Sequence, residues 1–114
     1  MTTGTGRGRW LPAALPLALL AGAGCRAPAA PRRLEVQIRG MAFTPAVLEA
    51  APGDTIVWLS RDIVPHTATA PGASGWDTGV LNPGQNGILV ARLRGDFPYA
   101  CALHPTMAAR LLVR

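Results

Sequence analysis

Close to the C-terminus, the run Tyr99-Ala100-Cys101-Ala102-Leu103-His104-Pro105-Thr106-Met107 places a thiol, an imidazole and a thioether within seven residues. A second histidine lies upstream in Val64-Pro65-His66-Thr67. His66 and His104 are the only histidines, and Cys25 is the only cysteine besides Cys101. One thiolate and two imidazoles in a trigonal arrangement, with a weak axial thioether, is the donor set of a blue-copper site. Cys101, His104 and Met107 are three residues apart in turn, which on a helix would put them along one face. Pro105 and the β-type residues on either side disfavour a helix, so the spacing predicts a tight loop between the last two strands. Cys101 would leave one strand, His104 would sit at the turn and Met107 would lead into the next strand. His66 must then arrive from an adjacent loop. Taken singly, each residue has a plainer reading: a core cysteine, a surface histidine, a gap-filling methionine. It is the ordered set, with no spare histidine, that favours a metal.

The elements that must position these groups read as strands. Leu34 to Arg39 alternates apolar and polar strictly, the two-residue period of a half-buried strand. Phe43 to Ala50 is a second extended run, with Pro45 pushing it toward an edge or a bend. Pro52-Gly53-Asp54 supplies turn chemistry. Thr55 to Leu59 is β-branched or aromatic nearly throughout and reads as a central strand buried on both faces. Further extended runs are expected at Trp76–Leu81, Ile88–Leu93, Phe97–Cys101 and Leu111–Val113, separated by turns at Asn82-Pro83-Gly84 and Gly95-Asp96. No helical period exceeds two turns. Six to eight short strands with regular turn signals predict an all-β sandwich.

The first 24 residues are read as a leader outside this fold. Arg7 and Arg9 precede an apolar stretch from Trp10 to about Ala23 that contains Pro12 and Pro16 and is short for a membrane span. It ends in Leu19-Leu20-Ala21-Gly22-Ala23-Gly24-Cys25, which resembles a bacterial lipoprotein signal, with Cys25 as a lipid-anchored mature N-terminus. Gly22 departs from the branched aliphatic residue usual at that place. The competing readings of Cys25 are an unmodified thiol or a disulfide with Cys101. Residues 25–33, rich in Ala, Pro and Arg, form a tether, and residues 34–114 the folded domain. From Cys25 onward nine arginines face six acids, with no lysine and little clustering, which argues against nucleic-acid binding.

The match extends well beyond the ligands. Met41-Ala42-Phe43-Thr44-Pro45, Pro52-Gly53-Asp54-Thr55-Ile56-Val57-Trp58, Pro65-His66-Thr67, Trp76-Asp77-Thr78-Gly79, Leu81-Asn82-Pro83-Gly84 and the run from Tyr99 to Met107 together resemble the cupredoxin superfamily. Within it, the short ligand loop is most similar to the plastocyanin/amicyanin-type small blue-copper proteins. The resemblance implies a Greek-key β-sandwich holding one type 1 copper ion that cycles between Cu(I) and Cu(II). Cys101, His66 and His104 would be equatorial ligands and Met107 the axial one. Electrons would pass through the exposed edge of His104 to redox protein partners docking beside it, among the small or apolar Pro65, Pro105, Thr106 and Ala108. Two positions depart from the family. Ser60 stands where an asparagine is frequent, in a region that ties the ligand loops together and bonds the sulfur through its backbone. Ala109 stands where many relatives have glycine.

The leading expectation is an exported, monomeric electron carrier in the periplasm or on the outer side of a bacterial membrane. The alternative is a copper-binding or delivery protein of the same fold, although only Met1, Met41 and Met107 are present. An enzyme is disfavoured, because multicopper catalysis needs more histidines and a binuclear centre needs a second loop cysteine.

Overall fold

The computed structural model describes residues 2–4, 6, 8, 10–17 and 30–114. Cys25, the end of the expected leader and most of the tether lie outside the described residues. Among the described residues, nine strands form: β1 (Arg33–Arg39), β2 (Ala42–Thr44), β3 (Val47–Ala50), β4 (Thr55–Ser60), β5 (Thr69–Ala70), β6 (Trp76–Asp77), β7 (Asn86–Val90), β8 (Gly95–Ala100) and β9 (Ala108–Val113). They build one sheet in the order β2-β1-β4-β7 and a second in the order β3-β9-β8-β5-β6. Both sheets are mixed, since β1 runs parallel to β4 and β3 parallel to β9 while the other pairs are antiparallel. The all-β sandwich is therefore as expected. No described helix is long and apolar enough to cross a membrane.

The strand count exceeds the expected six to eight because Thr69–Ala70 forms a short strand of its own and the run from Phe43 to Ala50 does not stay in one sheet. Its first part, β2, pairs with β1, whereas β3 pairs with β9 in the opposite sheet. Pro45, after a cis Thr44–Pro45 peptide, stands at the crossover and has no N–H for a ladder. The expected strand from Ile88 to Leu93 also ends early. β7 stops at Val90, and one further backbone bond, from the Ala91 amide to the Asp54 carbonyl, follows in register.

Alternation along β1 turns Val36 and Ile38 inward, and β4, between β1 and β7, is buried from Ile56 through Ser60. Trp58 is fully buried at the middle of the core. Its ring lies 4.9 Å from Trp76 and 5.6 Å edge-on to Tyr99, whose other side meets Phe43 at 4.9 Å. The Trp58 indole N–H donates to the Tyr99 hydroxyl at 3.2 Å, linking the two sheets. Burial holds that phenol protonated, with its pKa pushed up to about 12. Because Tyr99 lies two residues before Cys101 on β8, the aromatic cluster fixes where the strand delivers its thiol.

At the end of the sandwich remote from the histidines, the Asp54 carboxylate accepts the amides of Arg32 and Ala51 at 2.8 and 2.9 Å and the Arg32 guanidinium at 3.0 Å. The Ala51 and Arg32 amides, outweighing burial, hold its pKa below the ordinary 3.8. A folded-state pKa below the unfolded one gives stability that is present above about pH 4 and is lost as pH falls through the folded value. Asp54→Asn should lower stability at neutral pH and flatten its decline toward about pH 3, as read by urea unfolding.

Candidate metal centre

Three segments converge at the opposite end of the sandwich. His66 precedes β5 and is held by an isolated bridge to Leu81, each residue's amide donating to the other's carbonyl. Cys101 follows β8 directly, and the loop to Met107 closes on itself. In that loop the Cys101 amide donates to the Met107 carbonyl at 3.0 Å, the His104 amide to the Cys101 carbonyl at 3.3 Å and the Met107 amide to the His104 carbonyl at 2.9 Å. Proline and three internal backbone bonds make this the tight, non-helical loop that the spacing predicts.

The loop aims Cys101 Sγ between two imidazoles. His66 Nδ1 lies 3.8 Å from the sulfur and His104 Nδ1 3.7 Å, with the ring centroids 5.0 Å apart. All three donor atoms fall within 4.8 Å of one another. A point equidistant from three such atoms is within roughly 2.5 Å of each, close to the bond lengths of a first-row metal to sulfur and nitrogen. Soft sulfur with two imidazoles in a triangle fits one type 1 copper ion. His66 and Cys101 are fully buried and His104 is half-buried, so a ring edge of His104 reaches the surface. Met107 is buried in the hydrophobic core beneath the loop, on the same segment.

Among the described residues Cys101 has no disulfide partner. Burial pushes it up, but the Thr67 amide, both imidazoles and the Leu103 amide outweigh burial and bring it down to about 6. The thiolate is thus favoured at neutral pH before any cation is present. The Thr67 amide donates to Sγ at 3.2 Å, directing one polar N–H at the sulfur.

Two supports were not foreseen from the sequence. His66 Nε2 lies 2.8 Å from Asp62 Oδ2, which orients the ring and leaves Nδ1 facing the triangle of donor atoms. Asp62 also accepts the Met41 amide at 2.9 Å and the Ile63 amide at 3.0 Å. The Met41 amide first, and then His66, hold its carboxyl down at about 2. The only sequence signal was an acid four residues before a histidine, which is common on any surface.

The second support corrects the expectation for Ser60. The Ser60 hydroxyl is buried with no hydrogen-bond partner, and its backbone bonds Gln85 and Gly84 rather than the sulfur. The tie between the ligand loops is Thr67 instead. Its amide takes the sulfur, and its hydroxyl accepts the Ala102 amide at 2.8 Å. That hydroxyl is also 2.8 Å from Thr69 Oγ1, which donates to Asp77 at 3.2 Å. Since the Thr69 proton goes to Asp77, Thr67 donates to Thr69, and a directed chain runs from Ala102 to a carboxylate. Residue 67 can reach both loops because it follows His66, which is pinned by the bridge to Leu81. Thr67→Val should leave the amide–sulfur bond in place and strip the Ala102 amide of its acceptor. The expected cost is about 1–3 kcal/mol in the unfolding free energy of the apo-protein.

Comparison with known proteins agrees with this architecture. No family model matches the chain. The methylamine utilization protein MauL of Methylophilus methylotrophus is 35% identical over 75 residues, covering 62% of this chain and 43% of that protein. The match therefore spans less than half the length of that relative. Among solved structures, a reduced amicyanin variant superposes with a TM-score of 0.67 at 24% identity, covering 72% of this chain and 82% of that one. A second reduced amicyanin variant gives 0.69 at 22% identity, over 76% and 87%. A purple cupredoxin from Nitrosopumilus maritimus gives 0.67 at 23% identity, over 71% and 99%. With two mixed sheets and a Cys–His–His triangle at one end, the chain has the cupredoxin fold and resembles the plastocyanin/amicyanin-type small blue-copper proteins.

Proposed function

We propose that the protein is an exported one-electron carrier, and that His66, Cys101, His104 and Met107 would hold one copper ion. The observation that carries this reading is the convergence of a low-pKa thiol and two Nδ1 atoms within 4.8 Å on a rigid loop framework. When bound, copper supplies a Cu(I)/Cu(II) couple. The residues supply a frame that changes little between the two states. Asp62 holds the His66 ring, the Thr67 amide stabilises the sulfur, and three backbone bonds hold the Cys101–Met107 loop. Small structural change means low reorganisation, which favours rapid electron transfer over catalysis. The half-buried His104 edge is the natural port for a redox partner.

Export and anchoring through Cys25 rest on the charged and apolar pattern of residues 1–25. The domain from residue 34 to 114 acts as a monomeric carrier outside the cytoplasm. The test is a visible spectrum of the chain produced from about Arg26 onward, with Cu(II) added. An intense blue thiolate-to-copper band that bleaches with ascorbate supports the carrier. A folded but colourless protein sinks it, and rapid copper loss to a mild chelator favours delivery instead.

A further inference from the structure

Resting on the carrier reading, we infer that Arg39 and Arg61 form a cationic rim beside the electron port that selects an acidic protein face as redox partner. In the parallel ladder of β1 and β4, Ile38 pairs with Ser60, and the Arg61 amide donates to the Ile38 carbonyl. The next residues, Arg39 and Arg61, therefore stand side by side at the metal-centre end. Ile38 and Ser60 point into the core, so alternation turns both arginines to the outer face, where both are exposed.

The charges facing this pair are otherwise committed. Asp62 is the acid nearest in the chain, and its carboxylate is taken by the His66 ring, the Met41 amide and the Ile63 amide. Glu35, Glu49, Asp54 and Asp96 pair with Arg33, Arg114, Arg32 and Arg110 respectively. Asp77 is held by the Thr69 hydroxyl and the Gly79 amide. Neither Arg39 nor Arg61 has an ion-pair partner among the described residues, so their charge is complementary to an external anion.

Position gives that charge its use. Met41 and Asp62, two residues past Arg39 and one past Arg61, share a hydrogen bond, and Asp62 in turn touches His66, whose ring is 5.0 Å from His104. Beside the pair, Ile63 is 90% exposed and Leu103, next to His104, is 50% exposed. Charge together with exposed apolar side chains on the segments that carry the two histidines fits a small, quickly released protein encounter steered by electrostatics. Arg92 and Arg94 also lack ion pairs but lie before β8, whose six residues put roughly 20 Å of strand between them and Cys101. At about 0.1 M salt that exceeds the screening length of about 10 Å, so they serve as a control of equal net charge.

The experiment compares the copper-loaded protein with the double variants Arg39→Gln/Arg61→Gln and Arg92→Gln/Arg94→Gln by stopped flow. An acidic plant-type ferredoxin, reduced beforehand, gives one electron to the oxidised site. In separate runs the reduced site gives one electron to hexacyanoferrate(III), forming hexacyanoferrate(II), or to the cationic tris(phenanthroline)cobalt(III). The rim variant should react on the order of 5–10-fold more slowly with ferredoxin and hexacyanoferrate, and no more slowly with the cobalt complex. The control should stay within about twofold of the unsubstituted protein. Equal slowing in both variants would overturn the rim, because net charge alone would then explain it. Unchanged ferredoxin kinetics, together with loss of binding to phosphatidylglycerol vesicles in the rim variant, would overturn it in favour of a lipid surface. The blue band of each sample separates the readings: its absence in the unsubstituted protein overturns the copper carrier itself, whereas a blue protein with rim-independent rates overturns only this inference.

Discussion

Cys101→Ser is expected to abolish the intense visible band on addition of Cu(II) while leaving the sandwich folded. The band requires charge transfer from a thiolate, and Cys101 is the one thiol of the triangle, 3.7 and 3.8 Å from the two Nδ1 atoms. Serine is nearly isosteric and can still accept the Thr67 amide, so the protein interior has little reason to rearrange. What is lost is the soft anion. The thiol is held at about 6 by its neighbours, whereas an aliphatic hydroxyl stays neutral throughout the working range. Two imidazoles remain, and they would bind Cu(II) weakly and without the charge-transfer colour. The measurement is a paired one, with absorption to follow the site and circular dichroism to follow the fold. A variant that kept its blue band would show that the sulfur is not a ligand.

Trp58→Ala should have the largest effect on stability, about 3–5 kcal/mol. Trp58 is fully buried in the central strand, packs on Trp76 and Tyr99, and donates the hydrogen bond that joins the two sheets. Removing it leaves a large cavity and takes from the Tyr99 hydroxyl its indole donor. A domain of this size has roughly 4–12 kcal/mol in total, so the variant should stand at the edge of unfolding at room temperature. Denaturant unfolding of the apo-protein would show this, with Trp58→Phe recovering much of the loss because it refills most of the volume. Copper binding, which acts only on the folded form, should raise the unfolding midpoint of both variants. If Trp58→Ala cost less than about 1 kcal/mol, the aromatic cluster would not be the centre of the core.

Legibility of the sequence followed the range of the interactions. The Cys101–Met107 loop was readable because its determinants are local: a proline, a three-residue spacing and bonds between residues at most six positions apart. The alternation of β1 and the apolar run of β4 were readable for the same reason, since the period of side chains along a strand is set by the backbone. The division of the segment from Phe43 to Ala50 between two sheets was not, because a proline announces a bend without saying which partner each half will find. The role given to Ser60 failed on a similar point. Whether a residue faces the sulfur depends on where two loops cross, and here the crossing falls at Thr67.

The types and order of the candidate ligands, the all-β class and the positions of most strands were determined by the sequence alone, because each depends on chemistry or periodicity within a few residues. Only the tertiary structure decided that His66, 35 positions from Cys101, meets the sulfur with Nδ1 and turns Nε2 to Asp62. The same holds for the hydroxyl chain through Thr67 and for the pairing of Arg39 with Arg61 at the outer edge. Those relations arise from which strands become neighbours. That choice minimises exposed apolar surface over the whole domain, and no short window of residues contains it.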